Sequence, residues 1–238
     1  MAHTPRETIS IGWCDSGTVH GRFTDGIVDT IIQSRDFGID FSSKLRVTGN
    51  QIGRQRQVLF DAWADEIKTD WLLWVDSDIV LTTTTFKMLW DAADPVSMPI
   101  ITGTYFISDE VEGSLMQPFP AIFNEGKSIN ELTVVHPLPE NEVIKVDIAG
   151  FGLTLMHKSI IEPIRAIDPE YSLFGEKMEN GDKFVSEDVA FFRKLKKAKI
   201  QLHAHTGATV KHLKTFSFDK DYYNLYWTGL EKQIFTKG

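Results

Sequence analysis

The sequence predicts an α/β fold: a single domain with a mixed, mostly parallel central sheet flanked by helices. Three observations carry this. Short apolar runs bounded by polar or glycine residues alternate with amphipathic stretches of helical length, the pattern of strands joined by crossover helices. With 238 residues, 42% of them hydrophobic, the chain can bury a full core of its own. No repeat, low-complexity segment or linker divides it.

The elements follow in order. Ile9 to Cys14 alternates as a strand and ends in the turn Asp15-Ser16-Gly17, after which Phe23 to Ser34 has helical apolar spacing. Leu45 and Val47 mark an edge strand, and Gly49-Asn50 turns the chain into a helix from about Ile52 to Ile67. Trp71 to Leu81 is an apolar run broken by Asp76-Ser77-Asp78, and Thr82 to Ala93 is the next helix. Pro99 to Phe106 reads as a strand. Residues 107 to 142 mix prolines, glycines and acids in no period and form an excursion, a common carrier of specificity. Val143 to Val146 and Ile148 to Met156 follow, then helices over Lys158 to Ala166 and Glu187 to Ala198. Ile200 to Ala204 is a strand, Ala208 to His212 a short β-branched run, and Asp219 to Phe235 a helical tail.

Composition narrows the function classes. A net charge of −8 argues against tight non-specific nucleic-acid binding without excluding DNA as a substrate. The lone Cys14 cannot form an intramolecular disulfide. No segment has the apolar length to span a bilayer, and Met1 to Glu7 lack the apolar stretch of a signal peptide. These features predict a cytoplasmic protein without membrane insertion.

The motifs sit where an open α/β sheet places its ligands, beyond the strand ends. A buried strand has no structural need for two aspartates at its exit, and the oxygens of Asp76 and Asp78 suit Mg²⁺ or Mn²⁺ that also holds phosphates. In an isolated D-x-D, one aspartate caps the next helix and the other is solvated. Arg54 and Arg56 precede that strand on a helix, as phosphate forks or as surface charge. Gly150-Phe151-Gly152 interrupts an apolar strand, as a bulge or a close approach of ligand to backbone. Glu187 and Asp188 open a helix, where its dipole stabilises them as caps and also keeps a general base ionised. His212 ends a strand and could complete an aspartate-based metal site, although His203 and His205 stand nearby.

In this order the motifs resemble the GT-A fold glycosyltransferases, in particular family-2-like enzymes of the short type seen in bacteria and phages, from about Ile9 to Leu213. The resemblance implies a single GT-A domain over 1–238, with a nucleotide-sugar-binding half over about 1–105 and an acceptor-binding half over about 106–238. It implies Mn²⁺ or Mg²⁺ and a nucleotide-sugar donor, a UDP-sugar first among them. Asp78 is then the direct metal ligand, Asp76 faces ribose or metal-bound water, and His212 is the C-terminal metal histidine. Ser77 lies within the donor site, Gly150, Phe151 and Gly152 match the loop beside the donor sugar, and Asp15 opens the loop against the nucleotide base. Asp188 matches the base of inverting members, with Glu187 orienting donor or acceptor. The family often has Arg-Asn before D-x-D; here Gly53-Arg54-Gln55-Arg56-Gln57 aligns Arg54 there, with Arg56 the alternative.

Two other readings compete. Asp76-Ser77-Asp78-Ile79-Val80 also fits the D-x-D-x-[TV] signature of haloacid-dehalogenase-like phosphohydrolases, with Asp76 as nucleophile. Asp78 would be its acid, with Thr102 or Thr104, Lys158 and the acids Asp182, Glu187 and Asp188 in the remaining roles. That reading leaves the βαβα region before Asp76 unexplained and gives no task to the glycines or to His212. A non-catalytic sugar- or nucleotide-binding module is the other, and Glu187-Asp188 speaks against it because binding alone needs no base. The acceptor is a protein, a modified DNA base or a saccharide, with Tyr222, Tyr223, Tyr226 and Trp227 as a stacking platform or as packing for the last helix.

Overall fold

The computed structural model describes residues 7–108, 118–126, 131–167, 172–175, 177–179, 183–214 and 220. Strand β1 (Ile9–Asp15) leads through helix α1 (Gly21–Gln33) to β2 (Phe41–Thr48), and helix α2 (Ile52–Asp61) leads to β3 (Trp71–Val75). A short β4 (Ile79–Val80), helix α3 (Thr83–Ala92) and β5 (Ile100–Thr104) follow. Four short strands come next: β6 (Phe106–Ser108), β7 (Pro118–Pro120), β8 (Ile122–Glu125) and β9 (Leu132–Val134). The remainder comprises β10 (Val143–Val146), β11 (Ile148–Ala149), β12 (Leu153–His157), helix α4 (Ile161–Arg165), β13 (Lys177–Glu179), β14 (Lys183–Val185), helix α5 (Glu187–Lys197), β15 (Leu202–Thr209) and β16 (Lys211–His212).

The central sheet has seven strands in the order β10-β15-β5-β12-β3-β1-β2. β2, β1, β3, β5 and β15 point one way; β12 runs against β3 and β5, and β10 against β15. This is the mixed, mostly parallel sheet the sequence predicts.

β3 shows why its sequence is apolar throughout. Leu72 and Trp74 join a core with Leu59 and Phe60 of α2 and Phe191, Phe192 and Leu195 of α5. Trp71, Leu73 and Val75 face the opposite core, with Phe23 and Ile27 of α1 and Phe86 and Leu89 of α3. Side chains alternate faces along a strand, so a strand covered on both sides has no polar half.

Several boundaries differ from expectation, each for a local reason. The helix from Ile52 changes to a π-helical turn over Ala62–Ile67, which lets the buried Trp63 indole donate to Thr69 O and Oγ1 at 3.2 and 3.1 Å. The run from Trp71 to Leu81 is two strands, because Asp76 O accepts from Ile79 N at 3.0 Å and closes a turn, after which β4 pairs with β16. Ile148 to Met156 is likewise cut by the glycines, as Phe151 turns into the core. Ile200–Ala204 and Ala208–His212 are largely one strand, β15, whose register with β5 shifts between His205 and Thr209. The excursion over 107–142 contributes β8 and β9 to a three-stranded sheet with β11. The expected helical tail from Asp219 to Phe235, with its aromatic platform, lies outside the described residues apart from Lys220.

Candidate active site

The parallel strands β1, β3, β5 and β15 finish at one edge of the sheet, which therefore receives Asp15, the turn Asp76-Ser77-Asp78, Tyr105 and the segment leading to His212. α2 and α5 begin at that edge because each precedes a strand ending there, so Arg56, Glu187 and Asp188 arrive with them.

Asp78 and His212 meet across the β4–β16 pair, Oδ2 to Nε2 at 3.0 Å. The other ring nitrogen, Nδ1, is 3.0 Å from Phe106 O. A carbonyl only accepts, so Nδ1 carries the hydrogen, and in the neutral ring a lone pair on Nε2 faces a carboxylate oxygen. That juxtaposition is satisfied by a proton or by a cation shared between them. Lys214 Nζ also reaches Asp78 Oδ2, at 3.3 Å. Burial pushes the Asp78 carboxyl up, and the hydrogen bond and charge of His212, with Lys214 behind them, more than reverse it, leaving it below the usual carboxylate range. His203 and His205 lie buried within β15, where desolvation lowers both.

Asp76 belongs to a second group. Arg56, only 3% exposed, donates through Nη2 to both Asp76 oxygens at 3.0 and 3.3 Å and through Nη1 to Glu187 Oε1 at 3.0 Å. Nη1 also pairs with Asp188 Oδ1. The guanidinium carbon lies 4.9 Å from the Phe151 ring centre, a cation–π contact over the aromatic cluster of Trp74, Phe174, Phe191 and Phe192. Asp188 Oδ2 is 3.4 Å from Phe151 N. The structure thus brings together two of the three expected metal ligands, Asp78 and His212, and assigns Asp76 to the arginine.

The glycines meet a tyrosine. A Cβ on Gly150 would fall on the Tyr105 hydroxyl, and one on Gly152 would lie 2.5 Å from the Tyr105 ring. Tyr105 is buried and stands edge-on to His212, ring centres 5.1 Å apart at 83°. Asp76 N donates to Gly152 O at 3.0 Å, which joins the loop to D-x-D. Ser77 lies between the two aspartates in the turn.

Asp15 is buried, and its carboxylate is surrounded by donors: Gly17 N at 2.7 Å, Trp13 Nε1 at 3.1 Å, and Arg46 through Nε and Nη2 at 2.6 and 2.9 Å. The Arg46 hydrogen bond leads the effects that hold it below the carboxylate range. Arg46 was not anticipated; it stands in register with Trp13, two residues from the position facing Asp15, and the β1–β2 pairing that brings it there leaves no local mark in the sequence. Arg54 is exposed and lines an open hollow of ≈ 590 Å³ with Gln51, Gly53, Gln57, Ser172 and Phe174, apart from the Arg56 group. Cys14 is buried beneath the edge, and desolvation pushes its thiol up to about 12, so the thiol is protonated at neutral pH. Lys158 pairs with Asp70 at 2.7 Å, at the opposite end of β3 from Asp76, which removes it from the phosphohydrolase constellation. Asp182 lies outside the described residues.

The Asp78–His212 pair fits a divalent ion. Two neighbouring ligands about 2.1 Å from one octahedral ion are about 3 Å apart, the separation seen here. Among the described residues no three of His, Cys, Asp and Glu converge as a metal cage. Two protein ligands completed by phosphate oxygens and water are what Mg²⁺-like ions accept at phosphate sites.

The architecture, with acids gathered at the C-terminal edge of a mixed sheet, is the GT-A fold. The chain superposes on the crystal structure of GalNAc-T7 with UDP, GalNAc and Mn²⁺ at a TM-score of 0.51 and 10% identity, over 89% of this chain and 44% of that one. The chain therefore spans less than half the length of that protein. Two further solved structures are similar. A197 from STIV has a TM-score of 0.48 and 16% identity over 88% of this chain and 86% of that one. A glycosyltransferase involved in the glycosylation of the major capsid of PBCV-1 has a TM-score of 0.46 and 12% identity, over 87% and 95%. No family model matches the sequence, and no curated protein matches it.

Proposed function

We propose that the protein is a metal-dependent glycosyltransferase that moves a sugar from a nucleotide-sugar, a UDP-sugar first among the candidates, to an acceptor hydroxyl with inversion. The observation that carries this reading is the Asp78–His212 pair at 3.0 Å beside a group holding Asp76, Glu187 and Asp188, all at one edge of a GT-A sheet. The UDP and Mn²⁺ named with GalNAc-T7 support the same donor class and metal.

Asp78 and His212 would hold the divalent ion, which when bound sets positive charge against a leaving diphosphate. Asp188 is the base. Its Oδ1 is paired with Arg56 and its Oδ2 accepts only a long, 3.4 Å hydrogen bond from Phe151 N, so Oδ2 is the oxygen assigned to receive a proton. As the acceptor oxygen bonds to the anomeric carbon, its proton passes to Asp188; the bond from that carbon to the diphosphate oxygen breaks and the electron pair leaves with the diphosphate. Attack from the face opposite the leaving group inverts the anomeric centre. The donor is assigned to the half over about 1–105 and the acceptor to the half over about 106–238; protein, modified DNA and saccharide are the acceptor classes to be tried.

The test is nucleotide release from a panel of nucleotide-sugars with Mn²⁺ or Mg²⁺, with and without EDTA. Release from one donor that EDTA abolishes and Asp78→Ala reduces at least ~100-fold supports the reading. Phosphate release from simple phosphate esters, with every nucleotide-sugar inert, would return Asp76 to the role of phosphohydrolase nucleophile. Donor binding without any turnover would leave a binding module.

A further inference from the structure

We propose that Arg56 is a positioning residue: it ties the first aspartate of D-x-D to both acids of α5 and so fixes the orientation of the Asp188 carboxylate. Only the use made of that carboxylate rests on the glycosyltransferase reading.

A guanidinium has five N–H donors in a rigid plane. Here Nη2 spans Asp76 and Nη1 serves Glu187 and Asp188, so one side chain of α2 fixes carboxylates that arrive on β3 and α5. Phosphate binding is the ordinary task of an arginine near D-x-D, yet this one is buried with both Nη atoms committed to acids, while Arg54 two residues earlier faces the open hollow. The Phe151 ring lies beneath the guanidinium, its centre 4.9 Å from the guanidinium carbon. Three carboxylates around one cation leave a net negative group with little water.

The surrounding charges come from every element packed there. They are Asp76 from the exit of β3, Glu187 and Asp188 from α5 and Arg56 from α2, with the neutral Cys14 thiol of β1 and the Tyr105 hydroxyl after β5 alongside. Removing the arginine cation therefore moves Asp188 protonation to higher pH. It also frees the carboxylate to rotate.

The experiment pairs Arg56→Met, which keeps an apolar stem on Phe151, with Arg56→Lys, which keeps the charge without the fork. The first readout needs no substrate: ¹³C NMR titration of the Asp188 side-chain carboxyl in metal-free protein. The expected midpoint is higher than wild type by one unit or more in Arg56→Met, about tenfold in proton affinity, and intermediate in Arg56→Lys. The second readout is donor turnover against pH. The acidic limb of kcat should move with the NMR midpoint, and kcat should fall at least ~30-fold in both variants while KM for the donor changes less than about threefold. An unmoved Asp188 midpoint in folded Arg56→Met overturns the proposal, as does full kcat in Arg56→Lys. A raised KM with kcat intact overturns it in favour of direct phosphate contact. If Arg56→Met does not fold, the lysine variant decides by its midpoint and kcat. Should wild type turn over no nucleotide-sugar, the functional reading fails, and the NMR arm still decides whether Arg56 governs Asp188.

Discussion

Asp70 joins three stretches of chain through one carboxylate. Oδ2 accepts from Thr8 N and Thr8 Oγ1, both at 2.7 Å, and Oδ1 pairs with Lys158 Nζ at 2.7 Å. Burial raises this carboxyl, and Lys158 and Thr8 outweigh it, bringing it from 3.8 to about 2. The folded value lies below the unfolded one, so the stabilisation is complete above about pH 4 and fades as pH falls through about 2. Asp70→Asn should therefore cost about 1–2 kcal/mol at pH 7 in urea denaturation, and the gap from wild type should narrow as the acid limit is approached. A gap independent of pH would mean that shape, not charge, is what Asp70 contributes. The gathering of Asp78, Glu187, Asp188 and His212 at one sheet edge was legible, because each stands at the end or start of an element. Arg56 was harder to separate from Arg54, although the helical period does so: Ile52, Arg56, Leu59, Phe60 and Trp63 share the stripe facing the core, and Arg54 does not. A charge on an apolar stripe has to be paired, and the partners were too distant in sequence to name.

α1 is fixed at its middle by absence of a side chain. A Cβ on Gly26 would come 2.5 Å from Leu81 O, backbone that cannot yield, whereas one on Gly21 at the start of the helix would meet nothing within 4 Å. Alanine is the better helix former by about 1 kcal/mol, so propensity and packing oppose each other at Gly26 and agree at Gly21. Gly26→Ala should destabilise by about 1–3 kcal/mol, while Gly21→Ala should be neutral or slightly stabilising. Thermal melts of the two variants separate these outcomes, and equal effects would show that α1 can slide away from the β4–α3 loop. Capping adds a smaller term at α3, where Thr82 Oγ1 accepts from Thr85 N at 3.1 Å; Thr82→Ala should cost about 1 kcal/mol. Elements of 10 residues or more were readable because their apolar period persists, as in α3 and α5. Strands of two or three residues, such as β4, β11 and β16, were not: two residues have no period, and their existence depends on a partner far along the chain.

For the molecule as a whole, ligand binding should be visible as stability. A divalent ion held by two protein groups is weak alone and tight when a diphosphate completes its sphere. Mn²⁺ with a nucleoside diphosphate at about 100 times the dissociation constant should add about 2.7 kcal/mol, which raises Tm by roughly 5–10 °C in a chain of this size. His212→Ala or EDTA should remove the rise, and a rise surviving both would place nucleotide binding elsewhere. The succession of strand and helix made the α/β class legible across the first half, where each crossover is short. The second half was less so, because β12 enters the sheet antiparallel between β3 and β5, and pairings so remote in sequence leave no local mark.

Tyr105 fills the space that any side chain at 150 or 152 would need and stands against the ring of His212. In terms of descent, these positions cannot drift independently. A lineage that gains a methyl at either glycine first passes through an overpacked protein, and one that first shrinks the tyrosine passes through a cavity beside the histidine. Among homologues the tyrosine and both glycines should be inherited together or replaced together.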